Sequence, residues 1–146
     1  MNTGLVSMIV PGILVLAGSI EDIRKRSLPS IPLILGIIIC AFSGFLLSGT
    51  DKGELIAGGI LGGAIMLFSI FSGEKLGKAD ALVFIALGLS LGIWRTLNLM
   101  WLSFLAAGLT GLILIVFLHK PKNSTLPFLP FVAAAYIILI IPEVLP

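Results

Sequence analysis

Residues 31–47 read IPLILGIIICAFSGFLL, a stretch without a single charged side chain. The rest of the chain is similar: of 146 residues, 58% are hydrophobic and 11% are charged, and the mean hydropathy is +1.21. A soluble domain carries roughly a quarter charged residues, and a soluble core of this size could not hide so much apolar surface from water. The composition therefore excludes an ordinary soluble domain and predicts a protein that lies in lipid.

Charged or turn-rich breaks divide the chain into six apolar runs. These runs are residues 5–20, 31–47, 55–71, 81–93, 99–118 and 126–145. A bilayer core takes about 20 apolar residues as a helix, and backbone groups in lipid must be hydrogen-bonded internally. We therefore expect an all-α, polytopic membrane helix bundle with about six transmembrane helices, in which residues 1–146 form a single integral-membrane domain. The fourth run is short, and the break at 94–98 is expected to lie among the lipid headgroups with Trp94.

The basic residues lie in the breaks and are distributed unevenly. The first, third and fifth breaks hold seven of the nine, namely Arg24, Lys25, Arg26, Lys75, Lys78, Lys120 and Lys122. The second and fourth breaks hold only Lys52 and Arg95. Because cytoplasmic loops are enriched in Lys and Arg, we expect a multi-pass protein of the cell (inner or plasma) membrane, with the odd breaks in the cytoplasm and both termini outside.

The charge balance and the few cysteines and histidines exclude several kinds of site. The formal net charge is only +2, which leaves no polybasic surface for nucleic acid. Cys40 is the single cysteine, so an internal disulfide and a multi-cysteine zinc site are excluded. His119 has no Cys, Asp or Glu at ligand spacing. We therefore expect neither a metal nor an organic cofactor.

Glycines recur four residues apart, which places each pair on one helix face. The pairs are Gly58 with Gly62, Gly59 with Gly63, and Gly88 with Gly92. Small residues at this spacing let helices approach closely in lipid. We expect these glycines to pack helices against each other within the bundle.

Two carboxylates adjoin apolar runs on the side predicted to be cytoplasmic. Asp22 directly follows the first run, and Asp80 begins the fourth. Two carboxylates at one site cannot easily both ionise, so the pair can act as a base and an acid together. Taken singly, each also has a structural interpretation, because Asp22 could pair with the basic residues after it and Asp80 could cap its helix.

Three separated motifs resemble those of the type IV prepilin peptidases, which are membrane-embedded aspartyl proteases of the GxGD class. The first motif, an aspartate before basic residues and a Leu-Pro, is matched by Asp22, Arg24, Arg26, Leu28 and Pro29. The second motif, a glutamate, a hydrophobe and then GxGD, is matched by Glu74, Leu76, Gly77, Lys78, Ala79 and Asp80. The third motif, Pro-Phe-x-Pro-Phe, is matched by Pro127, Phe128, Leu129, Pro130 and Phe131. The motifs keep the family's order and spacing.

The resemblance implies a leader peptidase with Asp22 and Asp80 as the catalytic dyad and water as the nucleophile. Its substrates would be prepilin or pseudopilin proteins, cut between a short basic leader and the hydrophobic segment that follows. The residues implied to bind substrate or to shape the site are Glu74, Gly77, Lys78, Ala79, Pro127, Phe128, Pro130 and Phe131. Relatives that also N-methylate the new terminus use an added segment with paired cysteines, so we expect peptidase activity without methyltransferase activity.

Three local expectations accompany the resemblance. Ala79 replaces the second glycine of GxGD, and since glycine permits φ > 0 and close backbone approach, alanine is expected to stiffen the loop before Asp80 or to alter how substrate docks. Helix caps are expected at residues 123–125, and Pro130 is expected to perturb the start of the last helix.

Two other classes of function are compatible with the residues alone. A small transporter or proton-coupled channel would use the same aspartates along a pathway. An inactive relative or a purely structural membrane protein would have lost the chemistry, and Ala79 would be a sign of that loss.

Overall fold

The computed structural model of the protein describes residues 3–25, 30–73, 77–117 and 126–144. In these ranges it has six α-helices and no β-strand, which confirms the all-α class. The helices are α1 (Thr3–Lys25), α2 (Ser30–Leu47), α3 (Lys52–Phe71), α4 (Lys78–Leu91), α5 (Ile93–Val116) and α6 (Leu129–Val144).

Two of the described helices are clearly long and apolar enough to cross a membrane, namely α3 and α5. Shorter apolar stretches occupy Ile31–Leu47 in α2 and Leu129–Ile140 in α6. Large hydrophobic side chains also cover the outer surface, as shown by Phe71 at 86% exposed and Ile31 at 74%. The structure thus has the six helices that the sequence predicts, while a membrane crossing by all six stays a prediction.

Two predicted boundaries are wrong. The break predicted at residues 94–98 is helical, because α5 begins at Ile93 and the only residue between α4 and α5 is Gly92. The last helix begins at Leu129 and not at residue 126. Trp94 is exposed in the first turn of α5, so it lies at a helix start and not in a loop.

α4 is the central helix of the bundle. It packs against α1, α2, α3 and α5, and its buried residues lie on all its sides. These are Ala81, Val83, Phe84, Ala86, Leu87, Gly88, Ser90 and Leu91. A helix that is apolar all round is expected in the middle of a bundle, and this position holds its first turn among the ends of its neighbours.

Contacts between helix ends fix the directions of the helices. Ser90, near the end of α4, donates from Oγ to the carbonyl of Ser7, near the start of α1, at 2.9 Å. At the same end of the bundle, Arg95 in the first turn of α5 pairs with Glu143 in the last turn of α6 at 2.8 Å. The opposite end of the bundle therefore carries the last turn of α1 and the first turns of α4 and α6.

Glycines bring α3 and α4 into backbone contact. A Cβ built on Gly58 would lie 2.9 Å from the Gly88 Cα, and one built on Gly62 would lie 2.5 Å from the Ile85 Cα. The predicted packing role is therefore confirmed for Gly58, Gly62 and Gly88. A Cβ on Gly63 would meet nothing within 4 Å, so this glycine makes no such contact.

Cys40 lies in the middle of α2 and is fully buried, at 0% exposed. Its carbonyl accepts a hydrogen bond from the Ser43 hydroxyl at 2.9 Å. Its place in the core matches its interpretation as a small hydrophobic residue.

Gly92→Ala is expected to lower the free energy of unfolding by about 1–2 kcal/mol. Gly92 has φ +84, which a side chain disfavours, and a Cβ there would lie 3.2 Å from Cγ2 of Thr50. The control is Gly49→Ala, because a Cβ on this exposed glycine meets nothing within 4 Å. Denaturant unfolding in detergent measures both variants, and equal stabilities would contradict the prediction.

Candidate active site

Asp22 lies in the last turns of α1 and is half-buried. Its Oδ2 accepts a hydrogen bond from the backbone N–H of Leu129, the first residue of α6, at 3.2 Å. One turn earlier on α1, a Cβ on Gly18 would lie 3.2 Å from the Leu129 side chain. The missing side chain at Gly18 thus leaves room for the fully buried Leu129, which brings its N–H to Asp22.

The Pro-Phe-Leu-Pro-Phe element builds the start of α6. The Phe128 carbonyl accepts the first helical hydrogen bonds, from the N–H of Phe131 at 3.0 Å and from that of Val132 at 3.4 Å. Pro130 is therefore the second residue of the helix, where an N–H would have no partner within the helix. The expectation that Pro130 perturbs the helix start is wrong, because proline costs little at this position. Pro127 lies just before the helix and is half-buried.

Asp80 lies in the first turn of α4. Gly77 is the N-cap, with φ −60 and ψ 133, and its carbonyl accepts from the N–H of Asp80 at 3.1 Å and of Ala81 at 3.2 Å. A Cβ on Gly77 would lie 2.8 Å from Oδ2 of Asp80. The φ of this glycine is ordinary, and a side chain here would instead displace the Asp80 carboxylate that lies against its backbone.

The two aspartates meet at one end of the bundle. Burial raises the pKa of Asp80 from its ordinary value to about 7, and the negative charge of Asp22 raises it further in the same direction. This second cause requires the two carboxylates to be close in space although they are far apart in the sequence. Their surroundings suit a pair that holds one proton near neutral pH.

Ala79 lies inside α4 and not in a loop. It is the second residue of the helix, half-buried, and it packs against the hydrophobic core. The expectation that alanine stiffens a loop at this position is therefore wrong, because the backbone there is helical and alanine is the best helix former. Lys78, the first residue of α4, is exposed.

Three aromatic rings pack on one another near the starts of α4 and α6. Phe128 lies directly before Leu129, and its ring centroid is 5.1 Å from that of Phe104 and 6.2 Å from that of Phe84. Phe84 is fully buried one turn after Asp80 on α4. The rings therefore join the start of α4, the start of α6 and the side of α5. Phe131, in the first turn of α6, is half-buried.

Three residues in and around this site were not predicted from the sequence. The spacing of Phe84, four residues after Asp80, was a usable signal because such residues share a helix face. Leu129 was visible only as the variable position of its motif, and no local pattern pointed to Phe104. Some residues singled out in the sequence lie outside the described part of the chain. They are Arg26, Leu28, Pro29, Glu74, Leu76 and residues 118–125, which include the predicted helix caps.

No group of three or more His, Cys, Asp or Glu side chains that could hold a metal occurs among the residues that the structure describes. The described carboxylates at the site are Asp22 and Asp80, with Glu21 beside them on α1. The geometry therefore presents a pair of carboxylates, a backbone N–H and an aromatic wall.

Ala79→Gly is expected to lower the free energy of unfolding by about 1 kcal/mol, because glycine weakens the first turn of α4. We expect no increase in the cleavage rate. The contrasting variant is Gly77→Ala, which is expected to displace the Asp80 carboxylate and to lower the rate. Thermal unfolding and the cleavage assay described below measure both variants. A faster Ala79→Gly enzyme would contradict this account of the departure from GxGD.

Of the comparisons with known proteins, one with protein-family models gave a match. A model of the type IV leader peptidase family matches residues 8–116. The match includes Asp22 and Asp80 and ends before the Pro-Phe-Leu-Pro-Phe element. Comparison with curated proteins and with solved structures gave no match. Because the family model covers most of the chain, the protein belongs to the type IV leader peptidase family.

Proposed function

We propose that the protein is a membrane-embedded aspartyl endopeptidase in which Asp22 and Asp80 form the catalytic dyad. The observation that carries the proposal is the approach of these two carboxylates at one end of the bundle, where the charge of Asp22 acts on Asp80. Membership of a leader peptidase family supports the reaction class. No metal or organic cofactor takes part in the proposed reaction.

The dyad would hydrolyse a peptide bond with water as the nucleophile. One carboxylate takes a proton from water as the water oxygen bonds to the scissile carbonyl carbon, and the other gives its proton to the carbonyl oxygen. In the resulting gem-diol the C–N bond then breaks, and the leaving nitrogen takes the proton that came from water. One hydroxyl proton returns to the second carboxylate, which restores the dyad.

The proposed substrates are prepilin-like or pseudopilin-like proteins with a short basic leader before a hydrophobic segment. In the proposed arrangement six helices cross the cell membrane as one domain, the dyad faces the cytoplasm and both termini lie outside. The exposed Arg24 and Lys25 at the dyad end, and the basic residues predicted for the same face, support this orientation. The motif residues around the dyad, such as Phe128 and Pro130, would shape the substrate site. The mature product would be used in type IV pili or in protein secretion.

Cleavage of a defined substrate by the pure protein tests the proposal. The protein in detergent or nanodiscs is incubated with a prepilin-like protein, and the products are identified by mass. With the wild-type protein we expect two fragments, the leader and the mature chain. With the double variant Asp22→Asn/Asp80→Asn as the control, we expect the substrate to stay intact. An intact substrate with the wild-type protein, together with proton flux in proteoliposomes, would instead support a channel or transporter.

The cleavage rate is expected to fall as the pH rises through about 7. The pKa of Asp80 is raised to about 7, so below that pH Asp80 holds the proton that one member of the dyad must donate. Above it the protonated fraction falls by about tenfold per pH unit. The value of kcat/KM, measured from about pH 5 to about pH 9 at fixed ionic strength, checks this, and a kcat/KM that stays constant up to pH 9 would contradict it.

A further inference from the structure

The surroundings of Asp22 and Asp80 differ in a way that separates their parts in the reaction, if the proposed function holds. We infer that Asp22 takes the proton from the attacking water and that Asp80 delivers its proton to the scissile carbonyl oxygen. The hydrogen bond from the Leu129 N–H to Asp22 makes Leu129 the positioning residue of this assignment.

A hydrogen bond from a backbone N–H stabilises an ionised carboxylate more than a protonated one. Asp22 receives such a bond from Leu129, whose N–H cannot be used inside α6 because it is the first residue of that helix. The same N–H lies at the positive end of a helix of 16 residues. The contact with the Leu129 N–H therefore suits Asp22 to the part of the base.

Asp80 is placed differently. Its carboxylate lies against the Gly77 backbone, beside the fully buried Ala81 and one turn before the fully buried Phe84. Asp80 also lies in the first turn of its helix, and Asp22 lies in the last turns of α1, so the helix dipoles do not favour an ionised Asp22 over an ionised Asp80. Burial and the neighbouring anion do distinguish them, because both favour a neutral Asp80.

The described part of the chain places four other charged side chains at this end of the bundle. They are Glu21, Arg24 and Lys25 on α1 and Lys78 on α4. No acidic residue lies in the described first turns of α2 and α6, and no basic residue lies in the described last turns of α3 and α5. In the assigned reaction the resting proton is on Asp80, where burial and the charge of Asp22 favour it.

In the assigned reaction, the water gives its proton to Asp22 while its oxygen bonds to the carbonyl carbon. The carbonyl oxygen takes the proton of Asp80 at the same time. When the C–N bond breaks, the nitrogen takes the proton from Asp22 and a hydroxyl proton returns to Asp80. Each turnover thus ends with Asp22 ionised and Asp80 protonated.

NMR can follow each aspartate separately, because the chain has only three, Asp22, Asp51 and Asp80. Labelling with aspartate that carries ¹³C at the side-chain carboxyl carbon, Cγ, gives three resonances. Asp22→Asn, Asp51→Asn and Asp80→Asn each delete one resonance and so assign it. We expect the resonance that titrates near pH 7 to be that of Asp80. The exposed Asp51 is the internal reference.

Removal of one N–H tests the positioning step. Leucic acid at position 129 replaces the amide by an ester, which keeps the side chain and deletes the donor to Asp22. We expect the cleavage rate to fall at least about tenfold and the titration of the Asp80 resonance to move away from pH 7. An ester at Ala134, on the exposed face of α6, is the control and should change neither.

The outcomes separate this inference from the proposed function. If the wild-type protein cleaves substrate but the resonance near pH 7 belongs to Asp22, or the ester at 129 behaves like the control, the assignment of parts is wrong and the peptidase stands. If the titrations and the ester behave as expected but no substrate is cut, the proposed function fails and the asymmetry of the pair stands.

Discussion

Asp22→Asn and Asp80→Asn are each expected to lower the rate of leader cleavage by at least about 10²-fold, and more if the dyad supplies both proton transfers. Asparagine keeps the size of the side chain but neither takes nor gives a proton at neutral pH. At position 22 it can still accept from the Leu129 N–H through its carbonyl oxygen, so the contact between α1 and α6 is retained. The change therefore removes chemistry while it leaves the packing of the helices in place.

The matched control is Asp51→Asn. Asp51 caps α3 at the opposite end of the bundle, where its Oδ2 accepts from the Gly53 N–H at 2.9 Å. Its loss is expected to cost about 1 kcal/mol of stability or less and to leave the cleavage rate unchanged. The rate is measured by mass at saturating substrate, with thermal unfolding to verify the fold. If both dyad variants cleaved at the wild-type rate, the dyad assignment would fail.

Gly88→Val is expected to lower the free energy of unfolding by about 3 kcal/mol or more. A Cβ on Gly88 would lie 2.9 Å from the Gly59 N and would overlap the Gly58 carbonyl. These are backbone atoms of α3, so the two helices can accommodate a side chain only by moving apart. Because α4 also carries Asp80, a separation of the helices is expected to lower the cleavage rate as well.

Gly63→Val is the control for this substitution. It makes the same change inside a neighbouring helix, where a Cβ meets nothing within 4 Å, so the loss of helix propensity is common to both variants. The difference between them, measured by unfolding in mixed micelles, then reports the helix contact alone. Similar stabilities would show that α3 and α4 tolerate a side chain between them.

The number of helices could be predicted from the sequence because each apolar run is bounded by charge or by turn residues. The start of α5 could not. Residues 94–98 include Arg95 and Asn98, which indicated a loop, but Arg95 pairs with Glu143 of α6. The ion pair with Glu143 lets the polar residues 94–98 lie in a helix. Because Glu143 is distant in the sequence, no local pattern identifies this pair.

The candidate site was predictable to a different extent at each residue. Asp22 and Asp80 were identified because carboxylates beside apolar runs are rare and because their motifs resemble those of a family. The importance of Leu129 was hidden because its contribution is a backbone N–H, which every residue but proline carries. Ala79 was misjudged because the motif suggested a glycine loop, whereas the chain had already entered a helix.

The burial of Cys40 gives the native chain a practical property for mapping its orientation. The chain has no other cysteine, and this one is fully enclosed in the middle of α2, beyond the reach of a water-soluble maleimide. A cysteine introduced in place of exposed Lys25 or exposed Asp51 would thus be the only thiol that reacts. Labelling intact cells and inverted vesicles would then show directly which compartment each end of the bundle faces.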